Sequence, residues 1–445
     1  MGKYFGTDGI RGKANEGLTC DMAFKVGQYL GYYYGKNQHK TKIVVGKDTR
    51  LSSDMFEHAI AAGASATGAD VYLVDVCPTP CVAYLVSSLD FDCGVMISAS
   101  HNPFHDNGIK VFNHQGQKIA NEIELEIENY LDHKTTIEFA HNEEIGKVIY
   151  YQEGLELYLS HLQKIVDLDL SDMRIAMDCA NGSSTTTAEK MMKRLNAQYS
   201  VIHHEPDGIN INTQCGSTHP ESLIELMKKE HYDLGLAFDG DADRLIAVNS
   251  KGELIDGDYV LYICGQYLKS KGLLNYNTVV TTVMANLGLF KAFETLEIDY
   301  DKTAVGDKYV FESMVKNDYV LGGEQSGHII FKQYATTGDG LLTALMLLKV
   351  MKETGKSIEA LSEGLVIYPQ LLINERVKDK NDVLNEPTIN QMIEEITQEL
   401  GNDGRILVRP SGTEPLIRVM VEAKTQALCE KYVYRVIDYI KENHI

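Results

Sequence analysis

Three times along the chain an apolar run of strand character empties into a polar loop and is followed by helical periodicity, and this recurrence restricts the fold more than any other feature. Beginning at Lys42, KIVVG reads as a buried strand, Phe56 to Ala69 as an alanine-rich helix, VYLVD as a second strand and GVMIS as a third. The pattern returns as RIAMD, Asn181-Gly182-Ser183, a helical stretch through Met191 and Leu195, the strand YSVIHH, and LGLAF running into DGDADR. It returns once more as NTVVTTV, Asn286-Leu287-Gly288 and a helix, with YVLGG running into EQSGH. Strands alternating with helices build βαβ units, so repetition of one α/β plan is predicted. Ahead of the first unit, Leu18, Met22, Val26, Tyr29, Leu30 and Tyr33 recur at helical spacing, with Thr19 as the expected cap. After Leu371 the register changes to LLINERV, an acidic helical stretch from Met392 to Leu400, RILVRPSGTEPLIRVMVEA, and a helix carrying Tyr432, Val436 and Ile440. The fold class read from this is α/β: three tandem related α/β domains with mixed sheets, at 1–152, 153–255 and 256–369, plus a C-terminal α+β domain at 370–445.

A chain of 445 residues has room for several such domains, and its 44% hydrophobic and 24% charged residues are ordinary globular values. The formal net charge of -21 argues against nucleic acid or an anionic membrane as the main partner, because phosphate backbones need a basic stripe. An anionic substrate must then be held by locally clustered arginines. The eight cysteines, including Cys77 and Cys81 around a Pro-Thr-Pro turn, form no C-x-x-C pair and read as reduced core thiols. MGKYFGTDGIRGK has no apolar signal region and LLTALMLLKV is too short for a membrane helix, so a cytoplasmic protein is expected.

The loops carry the chemistry. ISASHNPFHDNGIKVF places Ser100 after a strand, with His101 adjoining it; Asn107-Gly108 reads as a tight turn into IKVF, from which Lys110 can return a cation. Ligands of open α/β sheets gather where strands end. DGDADR puts Asp239, Asp241 and Asp243 at alternate positions, an oxygen donor set for a hard cation such as Mg²⁺ or Ca²⁺. An EF-hand is excluded, because its sixth and twelfth positions would be Arg244 and Ser250. GEQSGH offers Glu324, Ser326 and His328 as donors and acceptors for sugar hydroxyls. RPSGTEP supplies Arg409, Ser411, Gly412 and Thr413, with Arg418 in the next strand, as an anion cradle. FGTDGIRG sets Arg11 between glycines as a candidate phosphate clamp.

Taken in this order, FGTDGIRG, SASHNP with NGIKVF, DGDADR, GEQSGH and RPSGTEP resemble the α-D-phosphohexomutase superfamily over essentially the whole chain, and GEQSGH with VRPSGTEPLIRVM resembles its bacterial phosphoglucosamine mutase branch. The resemblance implies an isomerase with four domains, each contributing one loop to a central cleft. It implies a phosphoserine at Ser100, one Mg²⁺ on Asp239, Asp241 and Asp243 with the phosphoserine as a further ligand, and a sugar loop of Glu324, Ser326 and His328. It also implies a phosphate loop of Arg409, Ser411, Gly412, Thr413 and Arg418. Arg11, His101, Lys110 and Arg244 fall on positions that flank the transferred phosphoryl group. The implied reaction converts glucosamine 6-phosphate to glucosamine 1-phosphate through glucosamine 1,6-bisphosphate, which also primes the enzyme, and feeds amino-sugar and cell-wall precursors. A homodimer partner and an activating kinase are compatible with it.

The general acid/base is left open between His101 and Lys110. Three rival functions stand beside this one: a mutase of glucose or mannose phosphates, a Mg²⁺-dependent phosphatase, and a sugar-phosphate sensor in which Ser100 is a regulatory site.

Overall fold

The computed structural model describes residues 2–444 apart from 7, 37–38 and 412–414. Its described residues fall into two compact units, one of Met1–Met284 with Ile298–Glu363, the other of Ala285–Glu297 with Gly364–Ile445.

In the first unit one strand arrangement occurs three times. Lys42–Lys47 lies between Asp70–Val76 and Cys93–Ile97, parallel to both, and Asp106–Asn113 returns antiparallel beside Cys93–Ile97. Arg174–Asp178 likewise lies between Gln198–Ile202 and Leu234–Phe238, with Leu245–Val248 returning antiparallel. Thr278–Thr282 lies between Asp299–Thr303 and Leu321–Gly323, with Ile329–Phe331 returning. The expected repetition is therefore borne out as identical strand order, and the mixed character follows from the returning strand. Edge strands extend the first sheet to seven strands and the second to five. The central runs are almost wholly apolar because helices cover both faces of a parallel sheet and leave no solvent side.

The helix Cys20–Gly35 begins at Thr19, whose hydroxyl accepts the Met22 N–H, as its periodicity predicts. It lies against Ser53–Ala66 at backbone contact: a Cβ on Gly27 would stand 2.2 Å from the Ile60 carbonyl oxygen, and one on Gly63 2.0 Å from that of Phe24. Val26, Leu30, Phe56 and Ile60 are buried beneath, on the sheet. Two readings need correction. Asn107 and Gly108 are not a turn; both lie within the strand Asp106–Asn113. Glycine is required there because a Cβ would sit 2.4 Å from the Ser98 carbonyl oxygen. Cys20 is exposed, whereas the other seven cysteines are buried free thiols.

The second unit is an antiparallel sheet of Gln370–Arg376, Leu416–Ala423 and Gly404–Pro410, packed with Pro387–Leu400 and Gln426–His444 around Val419, Val421, Val433 and Ile437. The helix Leu287–Thr295 belongs to it. Leu287 N–H donates to Glu422, a fully buried carboxylate that also accepts from Arg405 Nε at 2.6 Å. No helix among the described residues is long and apolar enough to cross a membrane.

Candidate active site

All four chemistry-bearing loops occupy one topological position, the connection from a strand to its antiparallel neighbour. Ile97 pairs with Ile109 across the Ser100 loop, Phe238 with Leu245 across DGDADR, Gly323 with Ile329 across EQSGH, and Pro410 with Ile417 across RPSGTEP. Such connections lie at strand ends, where the ligands of α/β sheets gather.

The first two loops meet. Ser100 is 1% exposed and has a left-handed backbone, φ +52°. Its hydroxyl donates to Asp239 Oδ2 at 2.7 Å and stands 3.4 Å from His101 Nδ1. Lys110 reaches from the returning strand to Asp241 at 2.8 Å, Asp8 at 3.1 Å and Asp243 at 3.4 Å. Burial opposes its charge, but those carboxylates outweigh it and hold the ammonium well above its ordinary range. Burial, then the charges of Asp243 and Asp241, push Asp239 well above the usual carboxylate range. His101 is lowered to about 4 by burial and by the Arg244 and Arg11 guanidiniums, so its imidazole is neutral near pH 7.

The three aspartates place one oxygen each within 4.8 Å of one another, all buried. Asp241 Oδ1 and Asp243 Oδ1 have no hydrogen-bond donor. Buried acceptors without donors, on three hard oxygen ligands, fit Mg²⁺. A second donor set, Asp178, His203 and Cys215, differs. There the Asp178 oxygens already accept from Ala180 N, Gly216 N and His203 Nδ1, so it is a loop tie.

Of the sugar-loop residues, His328 is buried and faces this cluster, with Nδ1 3.6 Å from Asp243 and Nε2 accepting the Gly338 N–H. Glu324 accepts the Gly306 N–H at 2.9 Å, and Ser326 is exposed. His328 also borders a cavity of about 260 Å³ lined by Lys118, Asp307, Lys308 and Thr336. Arg11 pairs with Asp8 at 2.5 Å, and Arg244 Nε lies 3.8 Å from Asp243. Sequence reasoning missed Asp8, which bridges Arg11, Lys110 and Lys118; Thr79, whose hydroxyl donates to Asp241 at 2.5 Å; and Asp307, paired with Lys118 at 2.8 Å. Asp8 lies inside the quoted FGTDGIRG motif and could have been found there.

In the second unit Arg409 and Arg418 are directly opposite on neighbouring strands, and neither Nε has a hydrogen-bond partner. Burial and then the Arg418 charge lower the Arg409 pKa, as two neighbouring guanidiniums do. Ser411 adjoins them, its N–H on the Leu416 carbonyl at 2.8 Å. Gly412 and Thr413 lie outside the described residues.

Models of the phosphoglucomutase/phosphomannomutase family match four successive stretches: α/β/α domain I at residues 2–138, domain II at 156–252, domain III at 256–368 and the C-terminal domain at 372–438. Phosphoglucosamine mutase of Lachnoclostridium phytofermentans is 53% identical over 443 residues, 99% of each chain, and that of Brevibacillus brevis 52% over 445 residues, again 99% of each. The chain belongs to the phosphoglucosamine mutase family. It is accordingly an enzyme of the isomerase class that moves phosphate on a sugar. Solved structures agree on the fold. A phosphoglucomutase/phosphomannomutase family protein of Burkholderia thailandensis has a TM-score of 0.82 at 24% identity, covering 99% of this chain and 98% of its own. N-acetylphosphoglucosamine mutase of Aspergillus fumigatus, in complex with GlcNAc-6P and magnesium, has a TM-score of 0.72 at 16% identity, covering 99% and 95%.

Proposed function

We propose that this phosphoglucosamine mutase family member interconverts glucosamine 6-phosphate and glucosamine 1-phosphate in the cytoplasm, with phosphorylated Ser100 as donor and acceptor of the phosphoryl group. The observation that carries the reading is the buried Ser100 hydroxyl on Asp239, beside a lysine held charged by three carboxylates. The relatives' activity and the sugar phosphate and magnesium in the fungal neighbour support it.

In the first half-reaction a free sugar hydroxyl attacks the phosphorus on Ser100. The new oxygen–phosphorus bond forms as the Oγ–phosphorus bond breaks, the hydroxyl proton passes to a base on the sugar side, and the leaving Oγ takes up a proton. The product, glucosamine 1,6-bisphosphate, turns over and returns its other phosphate to Ser100 by the reverse step, recovering the proton. The three carboxylates around Lys110 favour its charged form, which suits it to neutralise phosphate charge. Neutral His101, 3.4 Å from Oγ, stands on the serine side of the transferring group, where it can accept the Ser100 proton as the phosphate returns. Lys110, Arg11 and Arg244 spread the charge that builds on the transferring group. Asp239, Asp241 and Asp243, with the phosphorylated Ser100, would hold Mg²⁺, which would supply further charge neutralisation. Glu324, Ser326 and His328 hold sugar hydroxyls, and Arg409, Ser411 and Arg418, with Gly412 and Thr413, hold the phosphate not being transferred.

Phosphorus NMR of the protein with Mg²⁺, a trace of the sugar bisphosphate, and glucosamine 6-phosphate or glucose 6-phosphate in parallel tests this. Growth of the 1-phosphate signal is expected faster from the amino sugar. Faster glucose turnover assigns the enzyme to hexose phosphates, and inorganic phosphate alone refutes phosphoryl return.

A further inference from the structure

The Ser100 backbone stands in a conformation that a serine seldom adopts, so something must hold it. At φ +52° an L-residue is strained relative to its ordinary regions. Neither backbone group of Ser100 is held by a strand neighbour. Its N–H donates to Ser98 Oγ at 2.9 Å, and that hydroxyl donates to Asp48 Oδ2 at 2.6 Å. Its carbonyl accepts from Arg50 at 2.8 Å and from Asn212 Nδ2 at 2.9 Å.

Both terminal nitrogens of Arg50 are spent on this loop. A guanidinium has five N–H donors in a planar fork. One goes from Nε to Asp48 at 2.8 Å; the others reach the carbonyls of Ser100, Asn102, Pro103 and Asp106. The Arg50 and Asp48 side chains are both fully buried, and Asp48 accepts in addition from Ser53 and from the Arg50 N–H. A charge desolvated to that degree is tolerable only because every donor is matched. Asn212 repeats the device from the second α/β domain, donating also to the Asn102 carbonyl at 3.1 Å. Gly240, within DGDADR, completes the enclosure: a Cβ there would stand 2.6 Å from the Ser100 carbonyl oxygen.

We propose that Arg50, neutralised by Asp48 and seconded by Asn212, is the positioning residue that fixes the Ser100 carbonyl and thereby aims Oγ at Asp239 for phosphoryl transfer. It touches neither sugar nor phosphoryl group. It acts through the peptide that carries the nucleophile, and lysine cannot replace it, because one ammonium cannot fan out to four carbonyls. This rests on the phosphoseryl reading of Ser100.

The test uses full-length protein with Mg²⁺ and sugar 1,6-bisphosphate. Phosphorylation of Ser100 is followed by intact mass in a rapid-quench experiment, and kcat and KM are measured on the sugar phosphate. For Arg50→Lys the phosphorylation rate and kcat are expected to fall about 100-fold, the scale of an ~1 Å misplacement. KM and the Mg²⁺ dependence should stay within about threefold of the parent, a split that general loosening of the fold would not give. Asn212→Ala, which removes one of the two donors, is expected to lose about 10-fold in the same two rates, and it decides the matter if Arg50→Lys does not fold. Rates that stay at the parent level, or losses shared equally with KM, overturn the proposal. A parent protein that takes up no phosphoryl group refutes the phosphoserine reading itself, before either variant is made.

Discussion

Removing the charge of Lys110 is the sharpest probe of how the site is balanced. Lys110→Met keeps the length and apolar stem of the side chain and deletes the ammonium that Asp241, Asp243 and Asp8 share at 2.8, 3.4 and 3.1 Å. Lys110 is 2% exposed, Asp241 0% and Asp243 8%, so water does not take over its role. At an effective dielectric near 20 each contact is worth ~5 kcal/mol of attraction. Much of that offsets the desolvation of the ammonium, and the net loss from orphaning buried carboxylates is about 3–5 kcal/mol. Divalent cation binding contributes ~2.7 kcal/mol at about 100 times its Kd, and it contributes more where uncompensated carboxylates raise the affinity. Thermal unfolding of parent and variant, each in EDTA and in Mg²⁺, reads these quantities. The variant is expected to be markedly less stable in EDTA and to recover more than the parent gains on adding Mg²⁺. Turnover should fall about 100- to 1000-fold even in Mg²⁺, because the cation facing the transferring group is gone. Equal stability of the two proteins in EDTA, or the same Mg²⁺ increment in both, would refute the balance described.

The remaining predictions concern protons. Asp239 is pushed up by burial and by Asp243 and Asp241, so Mg²⁺ binding should release protons increasingly as the pH is lowered, read by calorimetry in buffers of different ionisation enthalpy; no buffer dependence at any pH would contradict it. His101 must be neutral to accept a proton, so with its pKa near 4 the rate should survive acidification well below pH 6.5 and fall only as pH drops toward 4. His101→Asn should lower kcat about 100-fold, and an unchanged rate would exclude it as the base. Asp339 is raised from 3.8 to about 6 by burial, so between those values the folded chain holds a proton the unfolded chain has lost. Stability should therefore drop by ~3 kcal/mol as pH rises from 4 to 7. Asp339→Asn, which can still accept the Leu342 N–H, should flatten that slope in thermal melts; parallel slopes would count against it.

The chemistry of the loops was legible because it is concentrated. Three aspartates in five positions, or a guanidinium beside two hydroxyls, advertise a ligand without any knowledge of the fold, and the repeated strand–loop–helix pattern gave the architecture. What holds those loops was not legible, because the partners are distant in sequence. Thr79 and Asp241 are 162 positions apart, Lys118 and Asp307 189, and Asn212 and Ser100 112. Arg50 follows an ordinary strand, and nothing local says that its fork will close on carbonyls fifty residues on. Asn107-Gly108 misled for a related reason: local turn preference yielded to a close backbone approach that only the assembled sheet creates.

The second unit is composed of two separated stretches of chain, and that has a bearing on any attempt to dissect the protein. A fragment beginning at residue 364 or later lacks Ala285–Glu297. It loses the Leu287 N–H that caps the Glu422 carboxylate and the Ala285 carbonyl that takes an Arg405 N–H, and it uncovers the face on which Leu287–Thr295 lies. Fragment complementation with the missing stretch supplied as a peptide, or a circular permutant that joins it to the C-terminal segment, would restore the unit. A simple C-terminal clone would not, although its ends would match the boundary at which the family models divide the chain.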